Sequence, residues 1–219
     1  MAVSEGNDLT GFLITHHLIR RVVPELGSRL GHVGAGDAAA VERLTQWWHI
    51  FTEILEGHHA GEDRFVWPVA LAADPGLIDI AQELESQHGR LDGHLEAIDE
   101  GLRTLAKGPA DWDAELTALL ARIDGFDAMM RDHLELEETR MVPVLERDVS
   151  EQTFKALSGQ LARNHSMDSF RRDLPMVLEM ADPNARAAMI ERIPAAVRKD
   201  FVESWEPQYR QLVAALPGS

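Results

Sequence analysis

Twice in this chain a histidine and a glutamate four residues apart replace apolar residues on an otherwise apolar helical stripe: His58 with Glu62, and His133 with Glu137. The first pair sits in the run Val41, Leu44, Trp48, Phe51, Leu55, His58, Glu62, Phe65, Val69, whose steps of three and four mark one helix face. Each residue turns about 100° around the axis, so residues four apart stand within about 40° of each other and can reach one ion. Burying such a pair without partners is costly. Gly57 and Gly61 flank it, each about 1 kcal/mol less favourable than alanine in a helix interior, which signals a site of close approach. The second pair continues the run Leu116, Leu119, Ile123, Phe126, Met130, His133, Glu137, Met141, Val144. An acidic neighbour follows each pair (Asp63, Glu138), and a proline stands six residues past each glutamate (Pro68, Pro143). The repeat predicts two helices that offer equivalent chemistry to a shared interior.

Two further segments have the same period. A helix starting near Asp8 or Thr10 carries Leu9, Phe12, Leu13, His16, Ile19, Val23, Leu26 and Leu30 on one face. His16 is its inward histidine, while His17, with Arg20 and Arg21 one turn on, lies on the wet shoulder. Pro24 is expected to kink this helix. Residues 31–37 read as a loop containing His32, with Asp37 capping the next helix. That second helix is expected to end around Val66–Val69, before a turn at Asp74-Pro75-Gly76. A third helix carries Leu77, Ala81, Leu84, His88, Leu91, Leu95, Ile98, Leu102 and Leu105; Asp92 falls close to that face and His94 on the surface. Lys107-Gly108-Pro109 breaks the chain and Asp111 opens the fourth helix.

Four amphipathic segments joined by short Gly/Pro loops predict an all-α fold, an up-down-up-down four-helix bundle over residues 1–149. Residues 150–219 read as additional C-terminal helices packed on the bundle, interrupted at Pro175, Pro183, Pro194 and Pro207. They carry no ligand pattern, and His165 stands there alone in a structural or surface role.

Composition narrows the chemistry. Without cysteine, disulfides, thiolate nucleophiles and cysteine-held clusters are excluded, so any metal must take nitrogen and oxygen ligands. The formal net charge of −16 argues against nucleic acid and anionic membranes as partners. The imbalance lies in the first two-thirds of the chain, because residues 150–219 hold 9 basic and 9 acidic side chains. No run of about 18 apolar residues and no basic-then-apolar leader occurs, which makes the cytoplasm the expected location.

The inward set is therefore His16, His58, His88 and His133 with Glu62 and Glu137, and Asp92 as a further candidate. That exceeds a tetrahedral zinc site. It suits two first-row ions in mixed nitrogen and oxygen ligation with bridging glutamates, iron or manganese being the occupants this chemistry favours. Ferritin-like bundles place glutamate before histidine by three residues, the reverse of the order here. Trp48, Phe51, Phe126 and Met130 are candidates to line a dry pocket beside the ions.

Over about residues 9–148 the chain resembles the hemerythrin-like (HHE cation-binding) domains. The likeness rests on His16 with Arg20-Arg21, His58-His59-x-x-Glu62-Asp63 before Val66-Trp67-Pro68, Glu85-Ser86-Gln87-His88, and His133-x-x-x-Glu137-Glu138 before Val142-Pro143. The resemblance implies an oxo- or hydroxo-bridged pair of iron ions, with Glu62 and Glu137 as bridges and the four histidines as terminal ligands. Oxygen-carrying members have a histidine where this chain has Asp92, and some relatives place a glutamate at His59, here expected in an outer or surface role. If Asp92 coordinates, it lowers the di-iron potential. The implied function is binding of oxygen or a related small oxidant, for carriage, storage or sensing; the alternative is an enzyme that consumes peroxide or nitric oxide.

Overall fold

The computed structural model describes residues 6–164 and 166–218, so His165 lies outside the described residues. Every regular element among them is helical. Helix α1 (Thr10–Leu30) runs through Pro24. Asp37 then accepts a hydrogen bond from the Ala40 amide at 3.0 Å and starts α2 (Ala38–Gly61). A wider π-helical turn (Glu62–Val66) leads directly into α3 (Trp67–Ala73). The 3₁₀ turn Pro75–Leu77 precedes α4 (Ile78–Ala106), and Asp111 caps α5 (Trp112–Leu136) through the Ala114 amide. A second π turn (Glu137–Met141) continues into α6 (Val142–Arg147).

Helices α1, α2, α4 and α5 form the bundle. The most extensive contacts run α1 to α2, α2 to α4, α4 to α5 and α5 back to α1, the ring of neighbours that an up-down-up-down connection produces. No described helix is long and apolar enough to cross a membrane.

The helix expected to stop at Val66–Val69 instead passes through the π turn and runs on to Ala73. Proline explains the turn. In an α-helix the ring of Pro68 would press on the Arg64 carbonyl and leave it without a donor. The shift to i→i+5 pairing, with the Trp67 amide donating to the Glu62 carbonyl, moves that carbonyl aside, and Pro68 becomes the second residue of α3, where a missing N–H is tolerated. Pro143 repeats the arrangement with the Val142 amide on Glu137, and Pro207 repeats it again after the π turn Phe201–Trp205.

The C-terminal segment comprises α7 (Glu151–Asn164), α8 (Met167–Met180), α9 (Pro183–Arg192), α10 (Ala195–Asp200) and α11 (Glu206–Ala214). Two of the expected interruptions are not breaks: Pro175 lies within α8, and Pro207 within the first turn of α11. Helix α8 packs on α1 and α2, and α7 on the first π turn. Met176, Tyr209 and Leu216 join the main bundle core, while Leu174, Leu178, Ile193, Phe201 and Trp205 form a small core of their own.

Two apolar clusters fill the bundle. One contains Val23, Trp48, Leu55, Leu91, Phe126 and Leu134; the other contains Leu9, Val66, Leu84 and Met141. Every inward histidine and glutamate sits where its helix passes from the first cluster to the second. Where α4 crosses α5, a Cβ at Gly101 would lie 2.7 Å from Leu119 Cδ1. Gly101→Val is expected to destabilise the fold by about 1–3 kcal/mol through overpacking, measured by urea unfolding; an unchanged midpoint would contradict this packing.

Candidate metal centre

Helix α2 and the π turn that continues it contribute three groups to one level of the interior. His58 and His59 are about 100° apart around the axis, and Glu62 projects between them, about 40° from the first and 60° from the second. Its two oxygens divide accordingly: Oε1 lies 3.1 Å from His58 Nε2, and Oε2 lies 3.6 Å from His88 Nε2. Glu137 mirrors it from the π turn that continues α5. Its Oε1 is 3.1 Å from His133 Nε2 and its Oε2 is 3.4 Å from His16 Nε2 on α1.

The groups sort into two sets of potential ligand atoms, each within 4.8 Å of one another: His59, Glu62, His88 and His133; and His16, His58, Glu62 and Glu137. Glu62 belongs to both, and Glu137 reaches the first through His133. One side therefore offers three imidazoles and the other two, with a carboxylate pair between them.

Asp63 and Glu138, the acids that follow the two glutamates, orient histidines across the bundle. His88 Nδ1–H donates to Asp63 at 2.9 Å, and His16 Nδ1–H donates to Glu138 at 2.8 Å. Arg20 clamps Glu138 from outside with contacts of 2.6 and 2.9 Å. His133 Nδ1–H donates to the Gln87 side-chain oxygen at 2.8 Å. An ionised carboxylate can only accept, so Nδ1 carries the proton and Nε2 turns its lone pair inward. The two lone pairs of His88 and His133 Nε2 then face each other at 3.3 Å. Two unprotonated nitrogens repel at that separation; shared by one cation, they would each bind it.

The same conclusion follows from atoms without partners. His16, His58 and His59 Nε2 and all four carboxylate oxygens of Glu62 and Glu137 are buried without a hydrogen-bond partner that meets distance and angle together. Each such atom costs about 1–3 kcal/mol, so seven together rival the whole stability of a typical domain, about 5–15 kcal/mol. Bound cations remove this penalty, and the donors present fit them.

Burial, aided by neighbouring imidazoles, holds His58 and His59 well below the usual histidine range. Burial also lowers His16 and His88 against the pull of their acidic neighbours. These four imidazoles are thus biased toward the neutral form that a metal ligand needs. Burial, then Glu137 and Asp63, pushes Glu62 well above the carboxylate range. Glu138, although burial pulls it upward, is held below that range by Arg20 and His16.

The structure brings together His16, His58, Glu62, His88, His133 and Glu137 as the sequence predicts. It corrects two expectations. Asp92 is exposed and, after burial, adds to the raised pKa of Glu56, because the buried stripe of α4 passes from His88 to Leu91 and Leu95 and leaves Asp92 at the rim. His59, expected in an outer or surface role, is 5 % exposed; its ring stacks on His88 at 4.2 Å and meets the His133 edge at 5.1 Å. The signal was the parallel stripe Thr52, Leu55, His59, Glu62, Val66, which has the same three–four spacing and is buried throughout. Trp48, Phe51, Phe126 and Met130 pack fully inside the main core, with Trp48 against Phe51 at 5.0 Å and Phe126 at 6.2 Å. The aromatic ring beside the centre is Phe12, 4.7 Å from His16 and 5.1 Å from His58. His94 is half-buried against Phe126, while His17 and His32 are exposed.

Chelator competition is expected to show weaker metal binding after His59→Ala, and binding about 10–100-fold weaker after Asp63→Ala, with Asp92→Ala unchanged. Loss at Asp92 and none at His59 would reverse this assignment. Metal removal has a pH signature as well. The raised pKa of Glu62 costs the metal-free fold stability as pH rises from the ordinary carboxylate range through the folded value, and the lowered pKa values of His58 and His59 cost it stability as pH falls through the imidazole range. Melting curves of stripped protein should therefore fall below those of loaded protein on both sides, and coincident curves would contradict this.

The family model described as the hemerythrin HHE cation-binding domain matches residues 12–145, which include all seven of these histidines and glutamates. No curated protein and no solved structure matches the chain. From that match over more than half its length, the chain belongs to the hemerythrin HHE cation-binding family.

Proposed function

We propose that this centre holds two iron ions and that the protein binds oxygen or a related small oxidant as a carrier, store or sensor. One observation carries the reading: seven buried donor atoms without hydrogen bonds lie in two candidate ligand sets that have Glu62 in common. His59, His88 and His133 would hold one ion and His16 and His58 the other, with Glu62 and Glu137 between them. Mixed imidazole and carboxylate ligation without thiolate suits iron. When bound, iron supplies reversible redox chemistry toward a small oxidant.

The chain's own residues set the terms. The His16–His58 side offers one imidazole fewer, which leaves room there for an external ligand. Phe12 lies across both of these rings, 4.7 Å from His16 and 5.1 Å from His58, with Trp67 6.4 Å from it, and places apolar surface beside that side of the centre. Arg20 and Glu138 fix the His16 ring so that its Nε2 stays aimed inward.

Metal analysis of protein purified without added metal, read beside its near-ultraviolet and visible spectrum, tests the reading. Two irons per chain with charge-transfer bands are expected, and a spectrum that changes reversibly between oxygen and vacuum. A different metal, or one ion per chain, would overturn the iron pair. Steady turnover of peroxide or nitric oxide would replace the carrier by an enzyme.

A further inference from the structure

A cavity of about 1030 Å³ lies between the bundle and the C-terminal helices, and it reaches His58. Helices α1 and α2 form one wall, and α7, α8 and α9 the other. We infer that this cavity is a binding site for an uncharged, largely hydrocarbon organic molecule, seated with one end against Phe12 and His58. The inference rests on the proposed function only in placing that end beside the metal centre.

Its size is at the upper end for small-molecule sites, about 300–1,000 Å³. Its lining is mainly apolar, with Phe154, Leu157, Leu161, Phe170 and Leu174 among the residues that face it. The charged groups at its edge interact with other groups of the protein. Arg172 pairs with Glu53 and with Asp173. Arg192 acts on Asp8, which also accepts from the Thr10 amide, and Asp182 caps α9. Acids outnumber arginines among these groups, so nothing here favours a phosphate or carboxylate head.

Gly57 supplies the independent observation. It lines the cavity one residue before His58, and a Cβ built there would meet nothing within 4 Å. Alanine would fit the backbone and favour the helix by about 1 kcal/mol. The neighbouring Gly61 is different, since a Cβ there would lie 3.1 Å from Leu161, and its small size serves helix packing. At Gly57 no protein atom takes the space; a side chain would fill the cavity beside His58.

The test uses the neutral fluorophore N-phenyl-1-naphthylamine, titrated into the full-length metal-loaded protein. Saturable binding of one probe per chain is expected. Gly57→Leu should weaken it by about tenfold or more, the loss of roughly 1.4 kcal/mol. Gly125→Leu, the same change on α5 where a Cβ also meets nothing within 4 Å, should leave it unaltered. Val177→Phe, filling the cavity from α8, repeats the test if Gly57→Leu melts early. No saturable binding, or equal binding by wild type and a folded cavity-filling variant, would overturn the site. Because the cavity walls hold no metal ligand other than His58, this outcome is read separately from the metal analysis: iron with no probe binding refutes only the cavity, and probe binding without iron refutes only the centre.

Discussion

Two carboxylates buried side by side are the constraint on which this fold depends. Glu62 and Glu137 are 1 % and 0 % exposed, on different helices, and burial, then the neighbouring Glu137, raises the cost of ionising Glu62. Hydrocarbon packing does not offset that cost, and His16, His88 and His133, whose Nδ1–H groups donate outward, turn only lone pairs toward the centre. Positive charge between them does, which makes the metal part of the core. The bundle is apolar above and below this level, so the two hydrophobic clusters position a polar layer that they cannot themselves satisfy.

Proline and π geometry give that layer its precision. The proline six residues past each glutamate makes regular α-pairing unfavourable, and the helix answers by widening at the glutamate itself. The widened turn places consecutive acids in separate tasks: Glu62 and Glu137 face the centre, while Asp63 and Glu138 reach across to hold His88 and His16 by Nδ1. A histidine fixed in this way cannot rotate its Nε2 out of the site, and its tautomer is set by the outer hydrogen bond. The recurrence of the same proline spacing at Phe201 and Pro207, where no ligands stand, shows that the turn is a property of the backbone on which the centre draws.

The four helices were legible because apolar stripes at three–four spacing run for five turns or more, and the choice of His16 over His17 followed from the same stripes. The rest was hidden for specific reasons. A single inward line along α2 leaves His59 outside, whereas a helix at the middle of a bundle turns an arc of about 100° toward the core; Glu62 lies inside that arc with a histidine on either side. Asp92 looked inward by spacing alone, and only the position of α2 shows that the rim there already holds Glu56. The prolines were visible and their i→i+5 consequence was not, because the alternative of ending the helix is equally compatible with sequence. The seating of Met176, Tyr209 and Leu216 in the bundle core depends on long-range packing that no local period encodes.

Diffraction from crystals of the purified protein at the iron absorption edge tests the central claim most directly. The account requires two anomalous peaks at the bundle's polar layer, one among His59, His88 and His133 and the other beside His16 and His58, with both glutamates between them. A single peak, or a layer in which Glu62 and Glu137 meet only protein atoms, would contradict it.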